Sequence, residues 1–392
     1  MAKRKGKQRK RRKLHTVKYF DYSLLFFLFL LLGVGYVMLY STSAYMATLA
    51  KGDGAYYLKR QIYASVLGFF ALFLFTFKDY RLLKKFASLL YIGSFALCVY
   101  VQFFGTSINN SSRWIRLGPF SFQPSELAKV AVIVCMAKII SEHQDLFRDN
   151  IKMLKVMAFL MIPIGGIVAA NNLSTALIIA GIAFTMAFVA NPNYKVFVAI
   201  ICGGGLLAFI MMLLPGMTYR FERISIWLHP EESEKGYQTL QGLYAIGSGG
   251  LFGKGLGEST QKLGFVPEAQ NDMIFPIIVE ELGIFGGAIV IFLFIYMLYR
   301  LLFIAENAPD LYGALIVTGV FSHIALQVVL NICVVLGILP TTGVTLPFIS
   351  YGGTSVLFLM MEMALALSVS RMIRSKKAVK DLWGNVVRNS EI

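Results

Sequence analysis

A single acidic residue, Asp272, lies where a polar stretch of the sequence gives way to an apolar one. The polar stretch, residues 264–272, also carries Glu268, and from Met273 the chain is apolar enough to enter a bilayer. A carboxylate at the boundary between water and lipid can take a proton from a substrate that is itself anchored in lipid. Aspartate is also a favoured N-cap residue, so capping of the following helix is an equal alternative for Asp272.

Two opposite charges, Glu126 and Lys129, lie in the first turns of another apolar run. A spacing of three places them on one face of a helix, where they neutralise each other or present paired charges to a polar headgroup. Ionisable groups in apolar helices are costly and mark functional candidates, which favours a substrate role. The alternative is an internal salt bridge that only fixes the helix.

Glu280 and Glu281 follow Asp272 at a distance of about 12 Å along a helix. Two adjacent carboxylates cannot both face lipid without a large free-energy cost, so at least one must face protein or water. Hydrogen-bonded packing groups are the favoured interpretation of this pair.

Several cations accompany these acids in segments predicted to lie on the same side of a membrane. Arg113 precedes Trp114 and offers a planar fork that suits a pyrophosphate. Arg223 and Lys254 add positive charge on that side. Ordinary solvated loop charge is the alternative.

Two glycine-containing stretches fall in the same predicted outer segments. The run at 247–257 is dense in glycine and would let a backbone approach a phosphate, but it lacks the spacing of a nucleotide-binding loop. The stretch 343–355 combines proline with paired glycines, which indicates irregular backbone that lines a cavity or is buried in protein.

The composition requires a membrane protein. Of the 392 residues, 57% are hydrophobic and only 15% are charged, well below the roughly 25% expected of a soluble domain. We therefore predict an all-α polytopic fold with ten transmembrane helices. Windows of adequate length fall near 22–41, 61–77, 86–104, 125–141, 156–170, 174–190, 196–214, 273–302, 312–335 and 353–373.

The distribution of basic residues predicts the orientation. With the N-terminus inside, 25 of the 37 lysines and arginines fall on the cytoplasmic side, ten of them within the first 18 residues. This predicts a basic cytoplasmic tail at 1–20, a membrane domain at 21–373 with a large outer loop at 215–272, and a cytoplasmic tail at 374–392. The net charge of +16 then indicates contact with anionic lipid and no nucleic-acid partner.

The four cysteines all lie within apolar runs, and the four histidines are scattered along the chain. Neither residue type shows the spacing of a metal site, and no cysteine is placed to cross-link an outer loop. We expect no metal ligand set of this kind.

Five motifs, taken together and in order, resemble the SEDS family of bacterial cell-wall proteins, which includes FtsW, RodA and SpoVE. They are SRWIRLGPFSFQPSELAK (112–129), NNLSTALI (171–178), GYQTLQGLYAIGSGGLFGKGLGES (236–259), VPEAQNDMIFPIIVEELG (266–283) and LPTTGVTLPFISYGGTS (339–355). The resemblance covers residues 20–373. The long basic tail and the TLPFISYGG form are more typical of FtsW than of RodA.

The resemblance implies an integral membrane glycosyltransferase of the cytoplasmic membrane that polymerises lipid II into peptidoglycan strands on its outer face. Sugar transfer would be of the inverting type. The family's proposed catalytic aspartate falls on Asp272, its intramembrane pair on Glu126 and Lys129, its loop acid on Glu268 and its Arg-Trp position on Arg113. An FtsW-like member would work beside a class B penicillin-binding protein transpeptidase and other division proteins.

Two other functions remain open at this point. A lipid II flippase would use the charges at Glu126, Lys129 and Glu280 as a polar pathway, and a scaffold would only dock the division proteins. No cofactor is certain, although Mg²⁺ or Mn²⁺ near Asp272 and Glu268 is compatible with diphosphate chemistry.

Overall fold

The computed structural model of the chain describes residues 19–108, 111–117, 120–213, 225–232 and 236–373. Within these ranges a long helix covers each of the ten predicted apolar windows. The long helices are α1 (Tyr22–Lys51), α2 (Tyr56–Phe77), α3 (Leu82–Phe104), α4 (Pro124–Glu142), α6 (Asn150–Asn171), α7 (Leu173–Ala190), α8 (Tyr194–Leu213), α11 (Ile274–Glu306), α12 (Leu311–Val335) and α13 (Thr354–Ser370).

Shorter elements connect them. They are strands β1 (Thr106–Ile108), β2 (Ser111–Leu117) and β3 (Phe120–Phe122), helix α5 (Gln144–Arg148), helix α9 described over residues 225–228, a 3₁₀ turn (Pro230–Glu232) and helix α10 (Tyr237–Gly249). Residues 1–18 of the tail predicted at 1–20, and the whole tail predicted at 374–392, lie outside the described residues.

Seven of the long helices, α1, α2, α3, α6, α7, α11 and α12, are by themselves long and apolar enough to cross a membrane. The charged residues of α4 lie too close together to leave a long apolar window, and α8 and α13 offer shorter apolar stretches. The polytopic all-α class is therefore confirmed. The count of ten spans and the sidedness of the loops stay predictions.

One end of the bundle is fixed by ion pairs between helices. Asp21 caps α1 by accepting a hydrogen bond from the Leu24 amide at 2.9 Å, and its carboxylate pairs with Arg300 of α11 at 2.7 Å. Asp310 caps α12 in the same way and pairs with Arg81 at 2.7 Å. The helices thus start where an acidic N-cap meets a cation from a neighbouring helix.

Helix α4 lies at the centre of the bundle. It packs against α3, α7, α12 and α13, and nearly every residue from Pro124 to Ala137 is buried. This placement explains how a helix that carries Glu126 and Lys129 exists in an apolar setting, because its charged side chains contact protein rather than lipid.

The segment between α3 and α4 contains a small sheet that the sequence did not indicate. Strands β1, β2 and β3 pair antiparallel in that order, with Ile115 opposite Phe122. Strands β1 and β3 have only three residues each, and alternation over three residues is too brief to distinguish a strand from a loop. The sheet ends directly before α4 and fixes the approach to its first turn.

Helices α6 and α7 form a tight hairpin at residues 171–173. Helix α6 ends at Asn171 and α7 begins at Leu173, and the Asn172 side chain accepts a hydrogen bond from the Thr175 amide at 3.1 Å. One residue therefore both separates the helices and caps the second one.

Helix α11 is broken at Gly283, where φ is 73° and ψ is −176°. The glycine-dense loop after α10 passes through this break: the Lys254 amide donates to the Glu280 carbonyl at 2.9 Å, and the Ile284 amide donates to the Gly250 carbonyl at 3.0 Å. A Cβ on Gly283 would lie 2.2 Å from the Leu251 carbonyl oxygen. The glycines of this loop and Gly283 therefore allow the loop backbone to lie directly against the backbone of α11.

Candidate active site

Asp272 lies in the turn before α11 and is partly exposed. The N-cap residue of α11 is Met273, and no side chain caps that helix, so Asp272 does not act as the helix cap. Its backbone carbonyl accepts a hydrogen bond from the Asn331 side chain at 2.8 Å, and the same amide group donates to the Val344 carbonyl at 2.7 Å. Asn331 of α12 therefore joins the Asp272 turn to the loop before α13.

That loop, residues 336–353, forms the second wall of the site. The Tyr351 amide donates to the Gln270 carbonyl at 2.9 Å, and a Cβ on Gly343 would lie 3.9 Å from an Asp272 carboxylate oxygen. Gly343 has a φ of 68°, which favours glycine. The fold thus brings two of the sequence motifs, 266–283 and 339–355, to one carboxylate.

The electrostatic environment of Asp272 differs from that of the other acids. The ion pairs found among the described residues do not include Asp272. Burial raises the pKa of its carboxyl to about 6, and the neighbouring Glu268 carboxylate adds to the rise. Such a group is ionised at neutral pH and is a stronger base than an ordinary aspartate, which suits general base catalysis.

Glu268 lies in the same turn and is exposed. Its carboxylate accepts a hydrogen bond from the Asn271 side chain at 2.9 Å, and its backbone has a φ of 50°. No group of three or more histidine, cysteine or acidic side chains suited to a metal occurs among the described residues. Asp272 and Glu268 are two oxygen donors in one loop, which fits a hard divalent cation that keeps most of its water ligands.

Glu126 and Lys129 form a buried ion pair at 2.8 Å, with only 7% and 2% of their side chains exposed. The Ser355 hydroxyl, in the first turn of α13, donates to the second oxygen of Glu126 at 3.0 Å. The predicted shared helix face is confirmed. Lys129 extends to Glu126 inside the bundle and does not reach toward lipid.

Arg113 is half-buried and belongs to β2. Its Nε donates to the Asn171 carbonyl at 2.8 Å, and the Asn171 side chain donates to Gln102 of α3 at 2.6 Å. Arg113 therefore joins the small sheet to the hairpin between α6 and α7, next to the start of α4.

Lys254 and Lys262, both on the loop that enters the break in α11, pair with its adjacent acids. Lys254 lies 2.6 Å from Glu280 and Lys262 lies 2.7 Å from Glu281, and both glutamates are fully buried. Ser41 of α1 also donates to Glu281, at 2.7 Å. Both glutamates are therefore hydrogen-bonded inside the protein, as predicted, and their role as packing groups stays a prediction. Arg223, the remaining predicted site residue, lies outside the described residues.

Helix α12 carries a buried polar stripe that was not predicted from the sequence. His323, Gln327 and Asn331 recur every four residues and are all buried. His323 contacts Glu362 of α13 at 2.7 Å, Gln327 donates to the Thr345 carbonyl at 3.0 Å, and Asn331 holds the Asp272 turn. Polar residues at helical spacing within an apolar run are the signal that would have identified them.

These observations define a polytopic membrane protein whose site lies at one end of a helical bundle, between two irregular loops. Residues 22–375 match the family model of cell cycle proteins that groups FtsW, RodA and SpoVE, and the chain belongs to this family.

The relatives agree with this assignment over almost the whole chain. The chain is 40% identical to stage V sporulation protein E of Bacillus subtilis, with 90% of this chain and 98% of the relative covered. It is 37% identical to the probable peptidoglycan glycosyltransferase FtsW of Trichlorobacter lovleyi, covering 90% and 93%.

Two solved structures share the fold. A chain from a peptidoglycan synthase complex, studied for the coordination of polymerisation and crosslinking, superposes with a TM-score of 0.76 at 29% identity, covering 90% of this chain and 98% of that one. The rod shape determining protein RodA of Thermus thermophilus gives a TM-score of 0.67 at 27% identity, covering 91% and 98%.

Proposed function

We propose that the chain is a peptidoglycan glycosyltransferase that polymerises lipid II into glycan strands on the outer face of the cytoplasmic membrane. The observation that carries this proposal is the environment of the Asp272 carboxylate. Its pKa is raised, and it forms no ion pair among the described residues. It lies directly before the start of α11, beside an irregular loop. The relatives named as glycosyltransferases support the same activity.

In this mechanism Asp272 acts as the general base. It takes the proton from the acceptor sugar hydroxyl as the oxygen attacks the anomeric carbon of the donor. The bond from that carbon to the diphosphate oxygen breaks, the electron pair leaves with the polyprenyl diphosphate, and the configuration inverts. Cationic groups must stabilise the charge that develops on the leaving diphosphate.

A divalent cation, Mg²⁺ or Mn²⁺, would share that task. We propose that it would lie near Asp272 and Glu268, with the exposed Glu268 carboxylate as the group that would hold it, so that the Asp272 oxygens stay available to the acceptor hydroxyl. It would supply Lewis-acid stabilisation of the diphosphate.

We also propose that both termini are cytoplasmic and that the protein acts in septal cell-wall synthesis beside a class B penicillin-binding protein transpeptidase and other division proteins. The basic N-terminal tail supports the orientation. A structurally similar chain belongs to a complex that couples polymerisation to crosslinking, which supports the transpeptidase partner.

The test uses the purified full chain in vesicles with labelled lipid II, with the transpeptidase present and absent. The expected result is a ladder of glycan strands that disappears in Asp272→Asn. Transfer of lipid II between leaflets without polymer would identify a flippase, and neither activity with either preparation would identify a scaffold. Polymerisation at the wild-type rate by a folded Asp272→Asn protein would overturn the assignment of the base.

A further inference from the structure

Three buried side-chain amides contact the loop at residues 336–353, which forms the second wall of the site. They belong to Gln61 of α2 and to Gln327 and Asn331 of α12, and each residue is at most 3% exposed. All three make hydrogen bonds to the backbone of this loop. We refer to these three side chains as the amide clamp.

Asn331 makes the contact that includes the proposed base. Its amino group donates to the Asp272 carbonyl at 2.8 Å and to the Val344 carbonyl at 2.7 Å. A carbonyl oxygen only accepts, so the side chain must present its amino group to both, and both of its N–H bonds are used. One short side chain on a helix therefore sets the separation between the Asp272 turn and loop 336–353.

Gln327 lies one helical turn before Asn331 on the same face of α12. It donates to the Thr345 carbonyl at 3.0 Å and to the Thr345 hydroxyl at 3.3 Å. Adjacent loop residues are thus bound by adjacent turns of α12, which fixes the direction of the loop as well as its distance from the helix.

Gln61 binds the other end of the loop from α2. Its amino group donates to the Ser350 carbonyl at 3.2 Å, and its side-chain oxygen accepts from the amides of Gly352 and Gly353, each at 3.3 Å. The loop residue between these contacts, Tyr351, donates its amide to the Gln270 carbonyl at 2.9 Å. The loop therefore meets the Asp272 turn at a second point, and Gln61 holds the loop there.

The loop backbone has a conformation that must be held by its surroundings. Phe348 is buried and has a φ of 64°, which is strained for a residue with a side chain. Such residues persist where neighbouring contacts fix them, and they are common at functional sites. The amide clamp binds the loop on both sides of Phe348, at Thr345 and at Ser350.

Uncharged amides are suited to this task. An ionised side chain would be costly to bury at these positions and would change the charge near Asp272. An amide donates and accepts hydrogen bonds without adding charge. The clamp can therefore fix the position of the carboxylate and leave its reactivity to burial and to the neighbouring Glu268.

We propose that Asn331 is a positioning residue for the general base, which fixes the Asp272 carboxylate against loop 336–353 in the geometry that the acceptor hydroxyl requires. Gln327 and Gln61 hold the loop in place for it. The inference rests on the proposed function for the reaction and adds the residues that act through Asp272. A displacement of about 1 Å at a reacting group costs about 10²-fold in rate.

The experiment measures polymerisation of labelled lipid II by the full chain in vesicles with its transpeptidase. Asn331→Leu removes both donors and should lower kcat per folded molecule about 10- to 100-fold, with KM for lipid II changed by less than about twofold. Asn331→Gln keeps the amino group and should recover part of kcat. Gln327→Leu removes only a loop contact and should give a smaller decrease, which also tests the clamp if Asn331→Leu does not fold.

Asn191→Leu is the matched control. Asn191 is a buried amide that donates to the Asn150 side chain at 3.1 Å and accepts from the Asn193 amide at 2.8 Å. Helix α7 begins beside loop 336–353 and ends next to Asn191, about 27 Å further along at the standard rise. This variant should lower the thermal midpoint about as much as Asn331→Leu and leave kcat per folded molecule unchanged. An equal loss of kcat in both variants would overturn the positioning role.

The pH profile gives a readout that lost stability alone would not move. Burial raises the pKa of Asp272 to about 6. A turn released by Asn331→Leu admits water to the carboxylate, so its pKa should fall toward that of an ordinary aspartate. The acidic limb of kcat should therefore shift to lower pH in Asn331→Leu and stay near 6 in Asn191→Leu. An unshifted limb in folded Asn331→Leu would contradict the proposal.

Amide hydrogen exchange separates this inference from the proposed function. Exchange at residues 266–273 and 343–352 should rise in Asn331→Leu and not in Asn191→Leu. If exchange rises but kcat is unchanged while Asp272→Asn abolishes polymerisation, the positioning role is wrong and the glycosyltransferase function stands. If the wild type makes no polymer, the proposed function is wrong, and unchanged exchange in Asn331→Leu would show that the clamp is wrong as well.

Discussion

Asp272 and the Glu280–Glu281 pair place three carboxylates within ten residues of the same segment, in opposite environments. The two glutamates are fully buried and each contacts a lysine. Glu280 also accepts hydrogen bonds from the hydroxyls of Ser259 and Thr260. Asp272 is partly exposed at a loop junction, and its side chain belongs to no ion pair within the described ranges.

This difference distinguishes carboxylates that stabilise the fold from a carboxylate that is available to react. A buried carboxylate with a cation and several donors has its oxygens occupied, and removing one partner leaves an uncompensated charge. A carboxylate held by its backbone, as Asn331 holds Asp272, has oxygens available to a substrate. Four substitutions or conditions test whether the two regions are as distinct as the geometry indicates.

The largest expected effect is on catalysis by Asp272→Asn. Loss of a general base lowers the polymerisation rate about 10²- to 10⁴-fold. At pH 7.5 the thermal midpoint in detergent should equal or exceed that of the wild type, because the substitution removes a carboxylate whose ionisation burial opposes. Glu258→Gln, at an exposed acid of the preceding loop, controls for the loss of one loop carboxylate. A lowered midpoint together with lost activity would place Asp272 among the structural acids.

The opposite pattern is expected for Glu281→Gln. Lys262 would be left buried without its carboxylate, which costs about 3–5 kcal/mol and lowers the thermal midpoint and the yield of folded protein. Polymerisation per folded molecule should change less than about twofold. The double variant Glu281→Leu/Lys262→Met, which removes both charges, should recover much of the lost midpoint. A thermal midpoint equal to that of the wild type, together with lost polymerisation, would mean that Glu281 takes part in catalysis.

A smaller effect is expected where the loop enters the break in α11. Gly283→Ala requires both a φ of 73° and a Cβ 2.2 Å from the Leu251 carbonyl oxygen, so the backbone must shift at a cost of about 1–3 kcal/mol. Gly166→Ala in α6 is the matched control, since its Cβ would meet nothing within 4 Å; it should leave the midpoint unchanged or raise it slightly. Equal midpoints for the two variants would contradict the close backbone approach described for Gly283.

The smallest effect is the pH dependence of the wild type. The reactive form of Asp272 is ionised, so the polymerisation rate should fall about tenfold per pH unit below a pKa of about 6. The folded pKa is raised above that of an unfolded aspartate, so this group favours the native state at low pH and loses that contribution as pH rises through 6. Midpoints recorded at each pH exclude acid unfolding. A rate that stays constant down to pH 4.5 would contradict the assignment.

Much of the helical framework could be predicted from the sequence, because long apolar runs and acidic N-caps are local features. Each predicted apolar window coincides with a helix, and the three-residue spacing of Glu126 and Lys129 predicted their contact. The position of Asp272 before α11 followed from the change of composition at Met273.

What could not be predicted depends on contacts between distant segments. Nothing local indicates that Lys254 turns toward Glu280, 26 residues further along the chain, or that His323 meets Glu362. The glycines at 249–257 indicated a close approach but not its target. A cavity lined by Arg60, Ser121 and Tyr351 is formed by α2, β3 and the start of α13, which lie far apart in sequence.

The break at Gly283 also divides α11 into a short part before it and a long part after it. From Asp21 to Ser41 in α1 there are 20 residues, and from Glu281 to Arg300 in α11 there are 19, so both helices extend roughly 30 Å between their two shared polar contacts. This length equals the hydrocarbon thickness of a typical membrane. Residues 284–306, which follow the break, are long enough at the standard helical rise to cross such a membrane by themselves. Residues 274–282 form a separate arm whose direction is set at Gly283, so the break determines where the Asp272 turn lies relative to the rest of α11.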